Sequence, residues 1–154
     1  MIPNRTSRRS LIMLLSCVAF CYQGAQIVAQ APAKTAGVAF MTVEELKSKL
    51  ITNEPVVVID VRATDTYANS DKKIKGAVHL KVRKITQRLN FPPLKDVPRD
   101  RTVVTYCSCP ADESAIAAAR IFLENGFKNV RALKGGWREW VKISGPTEAK
   151  PRGM

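Results

Sequence analysis

Two short runs of apolar, largely β-branched residues lie in the middle of the chain, PVVVIDV at 55–61 and RTVVTYC at 101–107. Their apolar residues are consecutive rather than alternating, which is typical of strands that are covered on both faces of a parallel sheet. The run NVRAL at 129–133 predicts a third strand, and the segment 77–80 predicts a short fourth one. The pattern therefore predicts a sheet with a buried centre.

Helical periodicity is found before, between and after these strands, and the segment that follows 55–61 is predicted as a loop with a helical turn. Val43, Leu46 and Leu50 recur at helical spacing, and Thr42 with Glu45 has the spacing of a capping box. Further helices are predicted at 82–90, at 113–124 and within 135–143. Strands that alternate with helices predict an α/β domain with a mostly parallel sheet.

The first 31 residues follow a different pattern. MIPNRTSRRS is positively charged, LIMLLSCVAFCY is apolar, and small residues follow at Ala25 and Ala29, as in a secretory signal. The stretch 11–29 is nearly long enough to span a bilayer, so an uncleaved membrane anchor is the alternative. In both cases we expect the folded part to lie outside the cytoplasm, in the periplasm, and to touch a membrane only through an uncleaved segment.

The remaining length suffices for one domain with its own core. We expect a linker at 32–40, a single domain at 41–144 and a basic tail at 145–154. The formal net charge is +12 at pH 7, but the basic residues are scattered and no aromatic interleaving or RNA-binding signature accompanies them. We interpret them as a solvated basic face and expect no nucleic-acid partner.

The cysteines limit the chemistry. Of the four, Cys17 and Cys21 lie in the export segment, so the domain keeps only Cys107 and Cys109. One pair provides neither a disulfide framework nor a complete zinc site, and the chain has a single histidine, His79. We therefore expect no metal and no cofactor.

The stretch TYCSCPADESA at 105–115 has the position of a reactive loop. Reactive loops of open α/β sheets lie at the carboxyl ends of strands, and Cys107 ends a predicted strand just before a helix. Backbone N–H groups near a helix N-terminus favour a thiolate and lower the pKa of a cysteine. From position alone, a nucleophile and a buried cysteine that merely packs remain equally compatible with the pattern.

Five segments in order resemble a single rhodanese domain, the sulfurtransferase module, over residues 41–141. VVVIDVR is similar to the family's first strand with its Asp-x-Arg end, IKGAVHL to its Ile-x-Gly-Ala segment, and VVTYC to the strand that carries the catalytic cysteine. SAIAAARIFLENGFKNVRALKGGWREW is similar to the helix and strand that end in Gly-Gly-x-x-x-Trp. The resemblance implies a three-layer α/β/α fold with a mostly parallel central sheet, and a Cys-x-Cys-Pro active-site loop.

The resemblance also implies roles for individual residues. Cys107 is expected to accept a sulfane sulfur as a persulfide and to pass it to a nucleophile, with Cys109 as a candidate resolving thiol. Asp60 and Arg62 match the Asp-x-Arg pair and are expected to pin loops by charge-assisted hydrogen bonds near the site. The other expected site residues are the loop members Ser108, Pro110, Ala111, Asp112, Glu113 and Ser114, and the turn glycines Gly135 and Gly136.

The loop departs from the family pattern at two positions. Asp112 and Glu113 stand where an anion-binding cation is common in this family and in the related phosphatase loop. Two unit charges ~4 Å apart interact by about 4 kcal/mol at an effective dielectric constant near 20, so an acid here would repel a dianion. We therefore expect a persulfide or polysulfide donor rather than thiosulfate. Asp112 is also a candidate N-cap, and Glu113 suits the first turn of a helix.

Three functions are compatible with the sequence. The first is a monomeric sulfurtransferase that uses a sulfane-sulfur donor and a thiol acceptor, which can be a protein. The second is a thiol–disulfide redox role of the Cys107 and Cys109 pair. The third is a non-catalytic binding module that uses the same fold.

Overall fold

The computed structural model describes residues 37–151, in which strands and helices alternate. The strands are β1 (Ala39–Met41), β2 (Val56–Asp60), β3 (Lys72–Ile74), β4 (Val78–His79), β5 (Thr102–Tyr106), β6 (Asn129–Leu133) and β7 (Thr147–Ala149). The helices are α1 (Val43–Ile51), α2 (Thr64–Ala68), α3 (Ile85–Arg88), α4 (Glu113–Glu124) and α5 (Gly136–Lys142). The predicted export segment lies outside the described residues. Every helix within 37–151 is too short or too polar to span a bilayer.

The central sheet has five strands in the order β1-β6-β5-β2-β4, and all its pairings are parallel. The two strands predicted from continuous apolar runs, β2 and β5, are neighbours near the middle of the sheet, where Asp60 pairs with Tyr106. Strands in this place are covered on both faces, which explains why their apolar residues do not alternate. The prediction of an α/β domain with a mostly parallel sheet is confirmed.

Helices cover both faces of the sheet. Ile59 of β2 packs in a cluster that contains Phe122 of α4, whereas the adjacent Val58 packs in a second cluster with Leu46 of α1 and Trp140 of α5. Successive residues of a strand point to opposite faces, so the two clusters are the two cores on either side of one sheet. The architecture is therefore the expected three-layer α/β/α arrangement.

Helix α1 begins where the capping pattern predicts. The N–H of Glu45 donates to Oγ1 of Thr42 at 3.1 Å, which satisfies one of the free donors of the first turn. The carboxylate of Glu45 does not complete a capping box but accepts from Nη1 of Arg131 at 3.1 Å. Val43 and Leu46 are buried and Leu50 is half-buried, as the apolar stripe predicts.

Two segments that the sequence assigned to the linker and the tail belong to the sheets. Residues 39–40 of the predicted linker form β1 with Met41, and this strand pairs with β6 at the sheet edge. Residues 147–149 of the predicted tail form β7, which pairs antiparallel with β3 in a two-stranded ribbon. Each of these strands has only three residues, too few for periodicity to be visible, and each forms because its partner provides a pairing edge. The domain is therefore longer than the predicted 41–144.

The predicted helix at 82–90 is divided. A 3-10 turn at Val82–Lys84 precedes the short α3, which ends at Arg88. The N–H of Leu80 donates to the carbonyl oxygen of Asp60 at 2.9 Å, so the chain leaves β4 beside the carboxyl end of β2. This position brings residues 81–83 to the edge of the sheet where the reactive loop was predicted.

Candidate active site

Cys107 directly follows β5 at the carboxyl edge of the sheet. The preceding residue, Tyr106, is in register with Asp60, so the ends of the two central strands lie side by side. The carbonyl oxygen of Tyr106 accepts from the N–H of Val61 at 2.8 Å, which continues the pairing past the strand ends. The predicted Asp-x-Arg segment and the predicted cysteine loop therefore occupy adjacent positions on one edge.

The loop after Cys107 is anchored to the start of α5. The N–H of Trp137 donates to the carbonyl oxygen of Cys107 at 2.8 Å, and the N–H of Gly135 donates to Oδ2 of Asp112 at 2.9 Å. Gly136 has a φ of +50°, and a β-carbon at this position would lie 2.2 Å from the carbonyl oxygen of Cys107. The close approach requires glycine, which explains the Gly-Gly pair beside the loop.

Asp112 does not cap α4 with its side chain. It occupies the N-cap position with a left-handed backbone, φ +58°, and its carboxylate binds Gly135 across the site instead of the first turn. The other oxygen, Oδ1, is buried and has no hydrogen-bond partner within the described part of the chain. Asp112 is therefore the N-cap residue, as predicted, but its side chain makes no capping bond, because the tertiary anchor to α5 uses the same carboxylate.

The thiol of Cys107 is a buried and weakly acidic group. Its side chain is fully buried, and the N–H of Cys109 donates to its Sγ at 3.3 Å. Burial, followed by the neighbouring side chain of Cys109, raises the pKa of Cys107 to about 12, against the smaller opposing effect of backbone N–H groups. The expectation of a lowered pKa is therefore wrong for this arrangement, since desolvation outweighs the loop dipoles.

Cys109 has the opposite character. It is half-buried, and its Sγ lies 3.2 Å from Oγ of Ser114. Burial opposes ionisation, but hydrogen bonds from Cys107 and from Ser114 together outweigh it and hold the pKa of Cys109 below its ordinary value. Of the two thiols, that of Cys109 is therefore the more acidic.

Asp60 and Arg62 form a buried ion pair below the loop. Nη2 of Arg62 lies 2.6 Å from Oδ2 of Asp60, and Nε of Arg62 lies 3.0 Å from both carboxylate oxygens. The hydroxyl of Tyr106 donates to Asp60 at 2.6 Å, and Nη2 of Arg62 also donates to the carbonyl oxygen of Lys72 at 3.1 Å. The pair thus connects β2 with β5 and β3.

The surroundings of the ion pair shift the pKa values of Asp60 and of Tyr106, whose hydroxyl donates to it. Burial alone would raise the pKa of Asp60, but His79, Arg62 and Tyr106 together hold the pKa of Asp60 below its usual range. Burial and the charge of Asp60 raise the pKa of Tyr106, so its hydroxyl stays protonated. The guanidinium carbon of Arg62 lies 4.4 Å from the ring centre of Trp137, which adds a cation–π contact from α5.

An open cavity of about 530 Å³ lies in front of the loop. It is lined by Val61, Arg62, Ala63, Thr64, Thr66, Lys81, Val82, Arg83, Ser108, Cys109 and Ser114. The thiol that lines it is Cys109, whereas the buried Cys107 is absent from its wall. Of the other predicted loop residues, Pro110, Ala111 and Glu113 are exposed and do not line the cavity.

Lys81 and Arg83 are charged residues of this cavity that were not among the predicted site residues. The family pattern indicates a cation inside the loop, where Asp112 and Glu113 stand, but the structure brings cations from the segment after β4. Two signals were available in the sequence. Lys81 and Arg83 are two basic residues separated by one apolar residue. They also follow a predicted strand at its carboxyl end, where the loops of a parallel sheet lie close together.

Comparisons with known proteins agree with this geometry. The family model described as the rhodanese-like domain matches residues 42–143. A thiosulfate sulfurtransferase, GlpE, from Coxiella burnetii is 28% identical over 99 residues, which cover 64% of this chain and 83% of that protein. A sulfurtransferase from Allochromatium vinosum is 29% identical over 106 residues, covering 69% of this chain and 91% of that protein.

Solved structures show the same fold. The crystal structure of the Alr3790 protein from Anabaena superposes with a TM-score of 0.60 at 31% identity and covers 71% of this chain and 82% of that one. The BH2092 protein from Bacillus halodurans superposes with a TM-score of 0.61 at 28% identity, covering 72% and 77%.

Proposed function

Because the chain belongs to the rhodanese-like domain family, we propose that it is a sulfurtransferase that carries sulfane sulfur as a persulfide on Cys107. The observation that carries this proposal is the position of Cys107. It ends a central parallel strand beside the Asp60–Arg62 pair, and its loop is held in place by the N-terminus of α5. Relatives that are named sulfurtransferases support the same reaction class.

The reaction has two steps. In the first, the sulfur of Cys107 attacks the outer sulfur of a donor RS–SH, so that the Cys107 thiol and the donor give Cys107–S–SH and RSH. In the second, an acceptor thiol attacks the outer sulfur and restores the Cys107 thiol as the acceptor becomes a persulfide. Because Cys107 is buried and its pKa is raised to about 12, the first step requires the loss of its proton and movement of the loop that covers it.

A persulfide or polysulfide donor that reacts in its protonated form suits the site better than thiosulfate. In thiosulfate the charged sulfonate group is bonded directly to the sulfane sulfur, so the dianion would have to enter beside Cys107. Cys107 is in an apolar cluster and is absent from the cavity wall, while the nearby carboxylate of Asp112 has one oxygen without a partner within residues 37–151. Bringing an unpaired dianion into such surroundings is strongly unfavourable.

The test is to incubate the purified protein with inorganic polysulfide, with an organic persulfide and with thiosulfate, and to measure its intact mass. The proposal expects one added sulfur, mapped by peptide analysis to Cys107, with the first two donors. The Cys107→Ser variant should gain none, and Cys109→Ser is the matched control that keeps Cys107. Absence of any added sulfur on Cys107 with all donors would overturn the proposal and favour a binding module.

The second candidate function is a redox role of the two cysteines. The observation that favours it is the backbone contact of Cys109 with Sγ of Cys107, together with the lowered pKa of Cys109. The thiol of Cys109 can attack the inner sulfur of a Cys107 persulfide, which gives a Cys107–Cys109 disulfide and H₂S. The sulfane sulfur is reduced in this step, so no further oxidant is required.

Thiol counting decides this candidate. After a single sulfur has been loaded, release of sulfide with loss of both free thiols supports the redox role. A stable persulfide with a free Cys109 excludes it. Competitive alkylation near neutral pH provides a check on the geometry, since Cys109 should react before Cys107.

We further propose that this reaction takes place outside the cytoplasm, because residues 1–31 carry the pattern of an export signal. The mass of the protein isolated from its host tests this placement and shows whether the segment is removed. Retention of the full segment on a membrane-bound protein would support the anchor. A full-length protein in the cytosolic fraction would contradict export.

A further inference from the structure

The cavity in front of the cysteine loop has an uneven distribution of charge. Among residues 37–151, the charged residues of its wall are Arg62, Lys81 and Arg83, and no aspartate or glutamate of this range lines it. Arg62 is neutralised by its ion pair with Asp60. Lys81 and Arg83 are exposed, and neither forms a salt bridge with a carboxylate of residues 37–151. The cavity wall therefore carries two cations that no acid of this region neutralises.

The acids of the loop lie outside the cavity wall. One carboxylate oxygen of Asp112 accepts from Gly135 on the side of α5, and Asp112 is absent from the cavity wall. Glu113 is exposed and is likewise absent from the wall. The cation pair thus stands on the side of the cavity formed by residues 81–83, and the thiol of Cys109 and the hydroxyl of Ser114 stand on the loop side.

From this arrangement we infer that Lys81 and Arg83 form the anion-binding part of the cavity and hold the carboxylate of a small organic persulfide, the sulfur donor. The inference rests on the proposed function and names the class of its donor. A cavity of about 530 Å³ has the size of a small-molecule site. Arginine and lysine bind carboxylates, and the hydroxyls of Thr64 and Thr66 provide further hydrogen-bonding groups on the wall.

The placement of the cations on the cavity wall, with Cys107 outside it, distinguishes this donor from thiosulfate. The cations belong to the segment after β4, whereas Cys107 lies beyond the cavity wall in the loop after β5. A donor held at its carboxylate needs several bonds between that group and its terminal sulfur to reach the loop. A persulfide of a short thiol acid has this form, because its carboxylate and its sulfane sulfur lie at opposite ends.

The first experiment compares three donors of similar size and different charge, the persulfides of mercaptopropionate, mercaptoethanol and cysteamine. The Lys81→Ala/Arg83→Ala variant should raise the KM for the anionic donor by about fivefold or more, with kcat unchanged, and leave the neutral donor unaffected. The effect should weaken as ionic strength rises. The matched control is Lys84→Ala/Arg88→Ala, which removes the same charge from exposed residues outside the cavity wall.

The second experiment measures binding without sulfur transfer. In the Cys107→Ser variant, methylthiopropionate should shift the backbone amide resonances of residues 81–83, and methylthioethanol should not. If both double variants change the kinetics equally, or if the three donors respond alike, the anion site is wrong while the sulfurtransferase proposal stands. If no donor loads Cys107 but the carboxylate still shifts these amides, the proposed function fails and the anion site stands.

Discussion

The two turns that follow β2 and β5 occupy neighbouring positions and differ in how their side chains are bonded. In the first, Asp60 and Arg62 are buried and bonded to each other, to Tyr106 and to the carbonyl of Lys72, and only Nη1 of Arg62 is buried without a partner within residues 37–151. In the second, Oγ of Ser108 and Oδ1 of Asp112 are buried without partners within residues 37–151, and the backbone of Asp112 is left-handed.

This difference separates stability from reactivity. A buried ion pair with several hydrogen bonds fixes the backbone around it, whereas left-handed non-glycine residues concentrate at functional sites. The first turn therefore fixes the edge of the sheet, and the second turn presents the thiols on that fixed edge. Substitutions in the two turns should therefore change different properties.

The largest effect on stability is expected in the first turn. The Arg62→Met variant leaves the carboxylate of Asp60 buried without its main counter-charge, and we expect a loss of about 3–5 kcal/mol in the free energy of unfolding. Urea denaturation followed by circular dichroism measures it. The double variant Asp60→Leu/Arg62→Met should recover part of this loss, because it removes both charges together. A loss below about 1 kcal/mol for the single variant would mean that the pair does not anchor the edge.

A somewhat smaller effect is expected where α5 holds the second turn. Gly136→Ala combines a left-handed backbone with a close contact to the carbonyl oxygen of Cys107, and should cost about 2–4 kcal/mol. The matched control is Gly126→Ala, which also has a positive φ but open space around its new methyl group, and should cost about 1–2 kcal/mol. Equal losses in the two variants would show that the contact with the loop can relax.

The pH dependence of stability reports on the hydrogen bond from Tyr106. The folded-state pKa of Asp60 is depressed, so its contribution to stability is present above the unfolded pKa of about 3.9 and is lost as the pH falls through the folded pKa. Tyr106→Phe removes one donor, which should cost about 1.5–3 kcal/mol and move the acid-unfolding limb to higher pH. Denaturation between neutral and acidic pH measures both changes. An unshifted limb would show that the tyrosine does not stabilise the charged form of Asp60.

In the second turn, the nucleophile should contribute little to stability. Cys107→Ser places a small hydroxyl where the N–H of Cys109 donates, and we expect a loss of about 1 kcal/mol with complete loss of sulfur loading. Thermal denaturation and mass measurement on the same sample separate the two properties. A variant that is severely unfolded would show that Cys107 belongs to the stabilising part of the edge.

The smallest effect is expected at Glu113. Its side chain is exposed and is absent from the cavity wall, so Glu113→Gln should change the free energy of unfolding by less than about 0.5 kcal/mol. Sulfur loading should stay within about twofold of the wild-type rate for anionic and neutral donors alike. A large gain with anionic donors would instead show that Glu113 repels them.

The sequence was sufficient for the parts of the molecule that depend on local pattern. The runs that became β2 and β5, the capped start of α1 and the loop position of Cys107 were all visible in short stretches of residues. The ionisation of Cys107 was not predictable in this way, because it depends on the burial of the thiol by groups that are distant in sequence. The same holds for Asp112, whose carboxylate binds Gly135 rather than its own helix.

The cations of the cavity show the same limit. Lys81 and Arg83 looked like members of a scattered basic face, and only the parallel order of β4, β2 and β5 brings them to the cysteine loop. The charged residues can be counted from the sequence, but the order of the strands in the sheet determines which of them lie together.

The ribbon formed by β3 and β7 has a consequence for where the protein can be cut. The carbonyl oxygen of Pro146 accepts from Nε1 of Trp140 at 3.2 Å and from the N–H of Lys75 at 3.1 Å, and β7 covers the edge that contains Ile74. A chain that ended at residue 143, the last one matched by the family, would lose both bonds and leave the buried Trp140 and Ile74 without their cover. We therefore expect a chain that ends at residue 143 to be less stable than one that keeps Lys150, whose N–H donates to the carbonyl oxygen of Asp71 at 3.1 Å.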